Sequence, residues 1–256
     1  LKMMAGVLAI VRKDWPGLLY GRAMAARRSL ADFIRQRLPV KRSEGGADVM
    51  SLFAATRDDA GDLLPDQVVV DHMLFLLLAA HDTTTSALTM AAYYLALDPG
   101  LQERLREEAR ALPADPPSYE DVRESDRLAN IECAFNETLR LHPPVPQMMR
   151  RTVCAAEILG HDVPADTLIA ISPVFTHRMA EFWREPHRFD PGRFAPGRAE
   201  HKAHTHLFVP FGGGAHKCIG LHFADMLFKC VMTQLLRRYR WSLATEYRNV
   251  APIVHF

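Results

Sequence analysis

From Asp66 to Leu97 the chain is so apolar that, past Asp66, charge or imidazole interrupts it only at Asp71, His72, His81 and Asp82. A helix of about 30 residues would span roughly 45 Å, more than the width of a small domain, so the fold has to be built around it. A membrane span is the alternative for so apolar a segment. The longest uninterrupted apolar run before His81 is Met73–Ala80, far short of the ~20 residues a span needs. The segment therefore predicts a soluble, centrally buried helix that stops at Asp98-Pro99.

The flanking segments predict a mainly helical domain with a small sheet. Residues 22–38 read as a basic amphipathic helix stopped by Pro39, and 41–48 as a polar Gly-Gly loop. Residues 99–112 and 127–141 predict two more helices, the second ending at His142-Pro143-Pro144. Alternation over 152–159 and 167–171 predicts two short strands, with a turn at Gly160-His161-Asp162. Residues 185–214 read as a long ordered loop, and 219–239 as a last helix with a basic end. Thirty-one basic and thirty acidic residues nearly cancel, which removes the electrostatic case for nucleic acid or an anionic membrane as a partner. Cys133, Cys154, Cys218 and Cys230 show no CxxC spacing and make no disulfide framework, so a reducing, cytoplasmic setting is the default. The chain begins at Leu1 without a signal peptide, and both ends read as cut.

The chemistry concentrates in Phe211-Gly212-Gly213-Gly214-Ala215-His216-Lys217-Cys218-Ile219-Gly220, a cysteine on a glycine-rich turn at a helix start. Gly214 and Gly220 allow positive φ or close approach to a flat ligand. The first N–H groups of the following helix favour negative charge on the sulfur, and Phe211 can shield it from water. A dry thiolate on haem iron pushes electron density onto the metal and favours O–O cleavage. A chance match to F-x-x-G-x-H-x-C-x-G in a chain this long is below about one in 10⁴. The stretch resembles the haem-binding signature of the cytochrome P450 family, with Cys218 as the iron's thiolate ligand. A zinc site built from His201, His204, His206, His216 and His222 would leave the glycines unexplained and offers only one cysteine.

Further segments carry the same resemblance in the same order. Ala79-Ala80-His81-Asp82-Thr83-Thr84 sits on the long apolar helix, where a buried acid is costly unless used. A threonine hydroxyl there can bond the carbonyl four residues back and bend the helix. By resemblance, Asp82 and Thr83 manage the protons that O–O cleavage consumes, and Ala80 stands beside the oxygen pocket where the family more often has glycine. Glu137-x-x-Arg140 is uninformative as a pattern, since Glu103, Glu107, Glu120, Glu124, Glu181 and Glu185 begin the same spacing. Its continuation Leu141-His142-Pro143-Pro144 singles it out. With Phe189-Asp190-Pro191-Gly192-Arg193-Phe194 it implies a buried structural network of Glu137, Arg140 and Arg193 under the cysteine loop. His216 and Arg150 occupy the places of haem propionate partners, Arg151 being the neighbouring alternative.

The resemblance covers nearly the whole chain and implies the C-terminal portion of the P450 fold, lacking the family's N-terminal part and its final hairpin, as one haem-binding domain over residues 1–256. It implies a haem b (iron protoporphyrin IX) monooxygenase. Such an enzyme inserts one oxygen atom of O₂ into a lipophilic substrate, a terpenoid, steroid or fatty acid, and acts as a monomer. Electrons come from a separate ferredoxin or flavoprotein reductase, because no flavin or Fe–S motif is present. Lys217, Lys229, Arg237 and Arg238 form either its docking patch or a solvated basic face. The sequence LRLHPP, with a His before the cysteine, faintly resembles sterol 14-demethylases and their bacterial relatives. The alternatives are an H₂O₂-using peroxygenase, which the Asp82-Thr83 pair argues against, and an inert remnant.

Overall fold

The structure, a computed structural model, describes residues 12–123 and 125–247. Its chain divides within the long helix into two compact units, Leu1–His81 and Asp82–Phe256.

The first unit is helical. Helices α1 (Leu19–Glu44) and α2 (Val49–Ala55) are followed by α3 (Asp66–Leu97), which continues into the second unit. Ala31, Ile34 and Leu38 of α1 bury against Met50 and Ala54 of α2 and Val69, Val70 and Leu74 of α3. Ion pairs from Arg27 to Asp71 and from Arg42 to Asp66 fasten α1 to α3 at the edge of this core. Pro39 does not stop α1, as its ring chemistry predicts, but lies inside it. Interior proline costs a helix about 3 kcal/mol. Beyond Pro39 the last turn is held by tertiary bonds that the local sequence does not reveal. Arg42 reaches the Leu64 carbonyl at 2.6 Å, and Lys41 pairs with Asp48. The true stop is Gly45, at φ +71° with its N–H on the Lys41 carbonyl.

Helix α3 is long and apolar as expected, but only partly buried. Val69, Val70 and Leu74 face the first core and Ala87, Met90, Ala91 and Leu95 are buried further along, whereas Phe75 is 63% exposed and Leu77 51%. A helix apolar all round buries only the faces that its neighbours cover. No helix among the described residues is long and apolar enough to cross a membrane.

The second unit packs α4 (Pro99–Ala111), α6 (Ala129–Leu141) and α8 (Leu221–Arg238) around the C-terminal half of α3. Asp98 caps α4 through the Leu101 N–H at 2.8 Å, with Pro99 at the first helical position. Leu101, Leu105 and Ala109 of α4, Ile131, Phe135 and Leu139 of α6, and Phe228, Met232 and Leu236 of α8 fill the core at helical spacing. Buried Arg106 donates to the carbonyls of Leu236 and Tyr239, so α4 closes the C-terminal end of α8. Short helices α5 (Tyr119–Arg123) and α7 (Pro173–Thr176), like α2, carry too few residues for a periodic signal.

The strands depart from expectation. Among the described residues four form, as two antiparallel pairs: β1 (Met148–Arg151) with β4 (Leu168–Ile171), and β2 (Ala156–Ile158) with β3 (His161–Val163). The run 152–159 is thus not one strand. The tight turn is Leu159-Gly160, both at positive φ, and not Gly160-His161-Asp162. Thr152 explains the break, because its backbone and hydroxyl bond Thr167, Asp166 and Pro164 and hold the chain at the β1–β4 end.

Replacing Pro39 with Ala should restore the α1 hydrogen bond and raise stability by about 1–3 kcal/mol in urea unfolding. A lowered midpoint would show that the ring's rigidity outweighs its helix cost.

Candidate functional site

The segment from Val209 to Gly220 folds as a stack of turns. The Gly212 N–H bonds the Val209 carbonyl at 3.0 Å, closing a turn with Pro210 at its second position. Gly212 stands at φ +72°, and a Cβ there would lie 3.3 Å from Met148 Sδ, so the loop passes close against β1. A helical turn at Gly214–His216 follows, with Gly214 at φ +67°. The Cys218 N–H then returns to the Phe211 carbonyl at 2.9 Å. Sequence reasoning named Gly214 correctly as a positive-φ residue but missed Gly212, although Pro210 two residues earlier signals the turn. At Gly220 the first of the two expected uses does not apply: its φ is −84°, and a Cβ there would meet Cys218 Sγ at 3.7 Å, an ordinary contact. It serves as the N-cap of α8, with no side-chain cap.

Cys218 is exposed, beside Ile219 at 92% and Phe223 at 52% exposure. A Cβ on Gly213 or Gly214 would meet nothing within 4 Å. A thiol, open glycines and uncovered apolar side chains together suit a broad, flat, apolar ligand with a soft metal centre. Phe211 is half-buried and packs towards Phe135, ring centres 6.4 Å apart. It anchors the loop in the helical core through its ring and holds Cys218 through its carbonyl.

The same unit holds a network of buried charge. Glu137, Arg140 and Arg193 side chains are 0% exposed. Arg140 grips Glu137 through Nε and Nη2, at 2.6 and 2.9 Å, and Arg193 Nε reaches Glu137 Oε1 at 3.1 Å. The spare guanidinium donors bond the carbonyls of His177, Arg184, Pro186 and Arg188, and Arg193 also pairs with Glu200 at 2.6 Å. Trp183 lies under Arg140, 5.1 Å from ring centre to guanidinium. Of the other Glu-x-x-Arg spacings, the Glu103, Glu120 and Glu185 pairs retain an exposed carboxylate, and Glu124 lies outside the described residues.

Asp82 and Thr83 are half-buried on α3. Thr83 lies four residues before Ala87 and so on the same helix face; Ala87 joins the core against which Phe211 also packs. Ala80 is exposed one turn earlier. On β1, alternation puts Arg150 on the same face as Met148, the residue against Gly212. Arg151 points the other way and pairs with Asp166 at 2.9 Å, whereas Arg150 donates to its neighbour's carbonyl and, among the described residues, pairs with no carboxylate. Both facts favour Arg150 over Arg151 on the loop side. His216 is exposed within the loop's helical turn.

Of the four basic residues read as a docking patch or a solvated face, Lys217 and Arg238 are exposed and two are not available to either. Lys229 is buried at 2% exposure between Glu132 and Asp225, at 2.6 and 2.8 Å. Arg237 is spent on the carbonyls of Ala109, Leu112 and Ala114. A charge at helical spacing reads as solvated in sequence; here α6 supplies the carboxylate that draws Lys229 inward. His201 stacks on Phe194 at 5.0 Å, and no group of three or more His, Cys, Asp or Glu among the described residues is placed to hold a metal.

The family model for cytochrome P450 matches residues 13–252. The chain belongs to the cytochrome P450 family. It is 39% identical over 236 residues to putative cytochrome P450 136 of Mycobacterium tuberculosis, covering 92% of this chain and 47% of that one. It is 37% identical to cyclooctatin synthase of Streptomyces melanosporofaciens, covering 89% and 51%. Among solved structures, retinoic acid bound cyanobacterial CYP120A1 superposes with a TM-score of 0.86 at 26% identity, over 95% of this chain and 56% of that one. This P450 chain thus spans about half the length of the relatives it matches.

Glu137→Gln should cost about 3–5 kcal/mol of stability, because it strands two buried guanidinium groups; urea unfolding would measure it. Burial also pushes the His177 imidazole down to about 4. Unfolded, it takes up a proton near the ordinary value of 6.5, so stability present above pH 6.5 should fall as pH drops towards 4. The loss should be on the order of 1.4 kcal/mol per unit of separation, and His177→Phe should abolish it in pH-dependent unfolding.

Proposed function

We propose that this chain carries the haem-binding part of a monooxygenase that inserts one oxygen atom of O₂ into a C–H bond of a lipophilic substrate. The observation that carries the reading is the glycine loop that holds Cys218 exposed, its N–H fixed on the Phe211 carbonyl. Bound haem b would supply the iron that activates O₂. Cys218 Sγ offers the thiolate, Arg150 and His216 the cationic partners for propionates, and Phe211 and Ile219 the apolar surround. Asp82 can hold a proton at its carboxylate and Thr83 can donate one from Oγ1, a pairing suited to protonating an oxygen leaving group.

The family supports a ferredoxin or flavoprotein reductase as electron donor, with the P450 itself monomeric. The four cysteines, all free, support a reducing compartment such as the cytoplasm. Exposed Val145 and Met149 support an apolar substrate, and the structural neighbour holds retinoic acid, an apolar chain ending in a carboxylate. A terpenoid, steroid or fatty acid fits that chemistry.

The test is the reduced, carbon monoxide difference spectrum of the chain reconstituted with haem, beside Cys218→Ala. The strongly red-shifted Soret band of thiolate-ligated haem should form and vanish in the variant. A band unchanged by the variant overturns the assignment of Cys218, and no haem uptake by either would mark the chain as inert alone. In turnover assays, Thr83→Ala should cut product per electron consumed by about 10- to 100-fold, with released peroxide taking up the difference.

A further inference from the structure

His177 is fully buried just past α7, and its ring neither binds haem in this reading nor carries charge into the ion network. Its contacts nevertheless join the two. Arg140 Nη1 donates to the His177 carbonyl at 2.7 Å, and His177 Nδ1 lies 3.3 Å from the Arg140 carbonyl. The residue therefore clasps Arg140 from both ends. On the other side of the ring, Nε2 accepts the Val209 N–H at 2.9 Å. A carbonyl must receive a proton and an N–H must give one, so the two contacts together fix the neutral tautomer with hydrogen on Nδ1. Val209 opens the turn closed by Gly212, and Phe211 in that turn accepts the Cys218 N–H. One line of hydrogen bonds thus runs from Glu137 and Arg140 through the imidazole to the backbone that carries Cys218.

We propose that His177 is the positioning residue that sets the height of the Cys218 loop, by holding the Val209 N–H to the Arg140 end of the buried ion network. It touches neither the sulfur nor the ligand and acts through Val209. The surroundings keep the ring neutral: the facing charged groups are the Arg140 and Arg178 guanidinium groups, and the Phe208 ring covers it at 5.2 Å. Burial holds the imidazole far below its ordinary value, so the acceptor lone pair on Nε2 persists at neutral pH. The consequence for haem ligation rests on the Proposed function; the tie to Val209 does not.

Two isosteric variants separate the two ring nitrogens. His177→Gln places an amide oxygen near Nε2 and keeps the acceptor, whereas His177→Asn keeps a donor near Nδ1 and loses it; His177→Leu loses both. Amide hydrogen exchange of Val209 in the chain itself should quicken by about tenfold or more in the Asn and Leu variants and stay near wild type in the Gln variant. After haem addition, the thiolate Soret band should follow the same order, converting to a shorter-wavelength form in Asn and Leu and recovering in Gln. Should the Leu variant fail to fold, the Gln and Asn pair still decides the matter. Equal Val209 exchange in those two overturns the proposal, as does a thiolate band indifferent to which nitrogen is kept. If Cys218→Ala leaves the band intact, the haem assignment fails instead, while Val209 exchange still judges His177 by itself.

Discussion

The buried carboxylate of Glu137 shared by Arg140 and Arg193 is the constraint on which the second unit depends. Two guanidinium groups and one carboxylate have left water completely, and the arrangement holds because every remaining donor finds a carbonyl or Glu200. Desolvation is expensive for such groups, so the gain is specificity of position more than net stability. The carbonyls drawn in belong to His177, Arg184, Glu185, Pro186 and Arg188, with the Asp190 N–H also on Glu137. A segment with almost no regular secondary structure is thereby pinned to the end of α6.

That pinned segment reaches the cysteine loop through the His177 ring, which accepts the Val209 N–H, while the loop's own glycines and proline fix it from within. Trp183, Phe194 and Leu207 form a small satellite core beside the network, with Phe208 packed on it. Phe211 then crosses into the main helical core. Polar and apolar contacts alternate along one short stretch of chain, each limiting a different freedom of the backbone. The exposed residues that follow, Cys218 and Ile219, are held by neighbours in sequence and left uncovered by neighbours in space.

Several site features were legible in sequence because they are local. The order of types from Phe211 to Gly220 sets the turns by φ preference and proline placement, and the cysteine's position follows. Helix α4 declares itself by its Asp98 cap, and α4, α6 and α8 alike by apolar spacing. Which use Gly220 serves was not legible, because glycine permits positive φ without requiring it. His177 gave no local signal at all: its partners lie 37 and 32 residues away. The same distance hid the burial of Lys229, whose partner Glu132 is 97 residues distant.

By itself, then, the sequence determined the family, the glycine-rich turn that carries Cys218, the long apolar helix with its Asp82-Thr83 pair, and the identity of the three residues in the ion network. These are properties of short segments, where side-chain type and backbone preference act within a few residues. Tertiary structure alone decided that α1 continues through Pro39, that β1 pairs with β4, that Arg150 and not Arg151 shares a strand face with Met148, and that Lys229 turns inward. Each of those outcomes balances a local cost or indifference against contacts made by distant chain, and only folding brings both sides of that balance together.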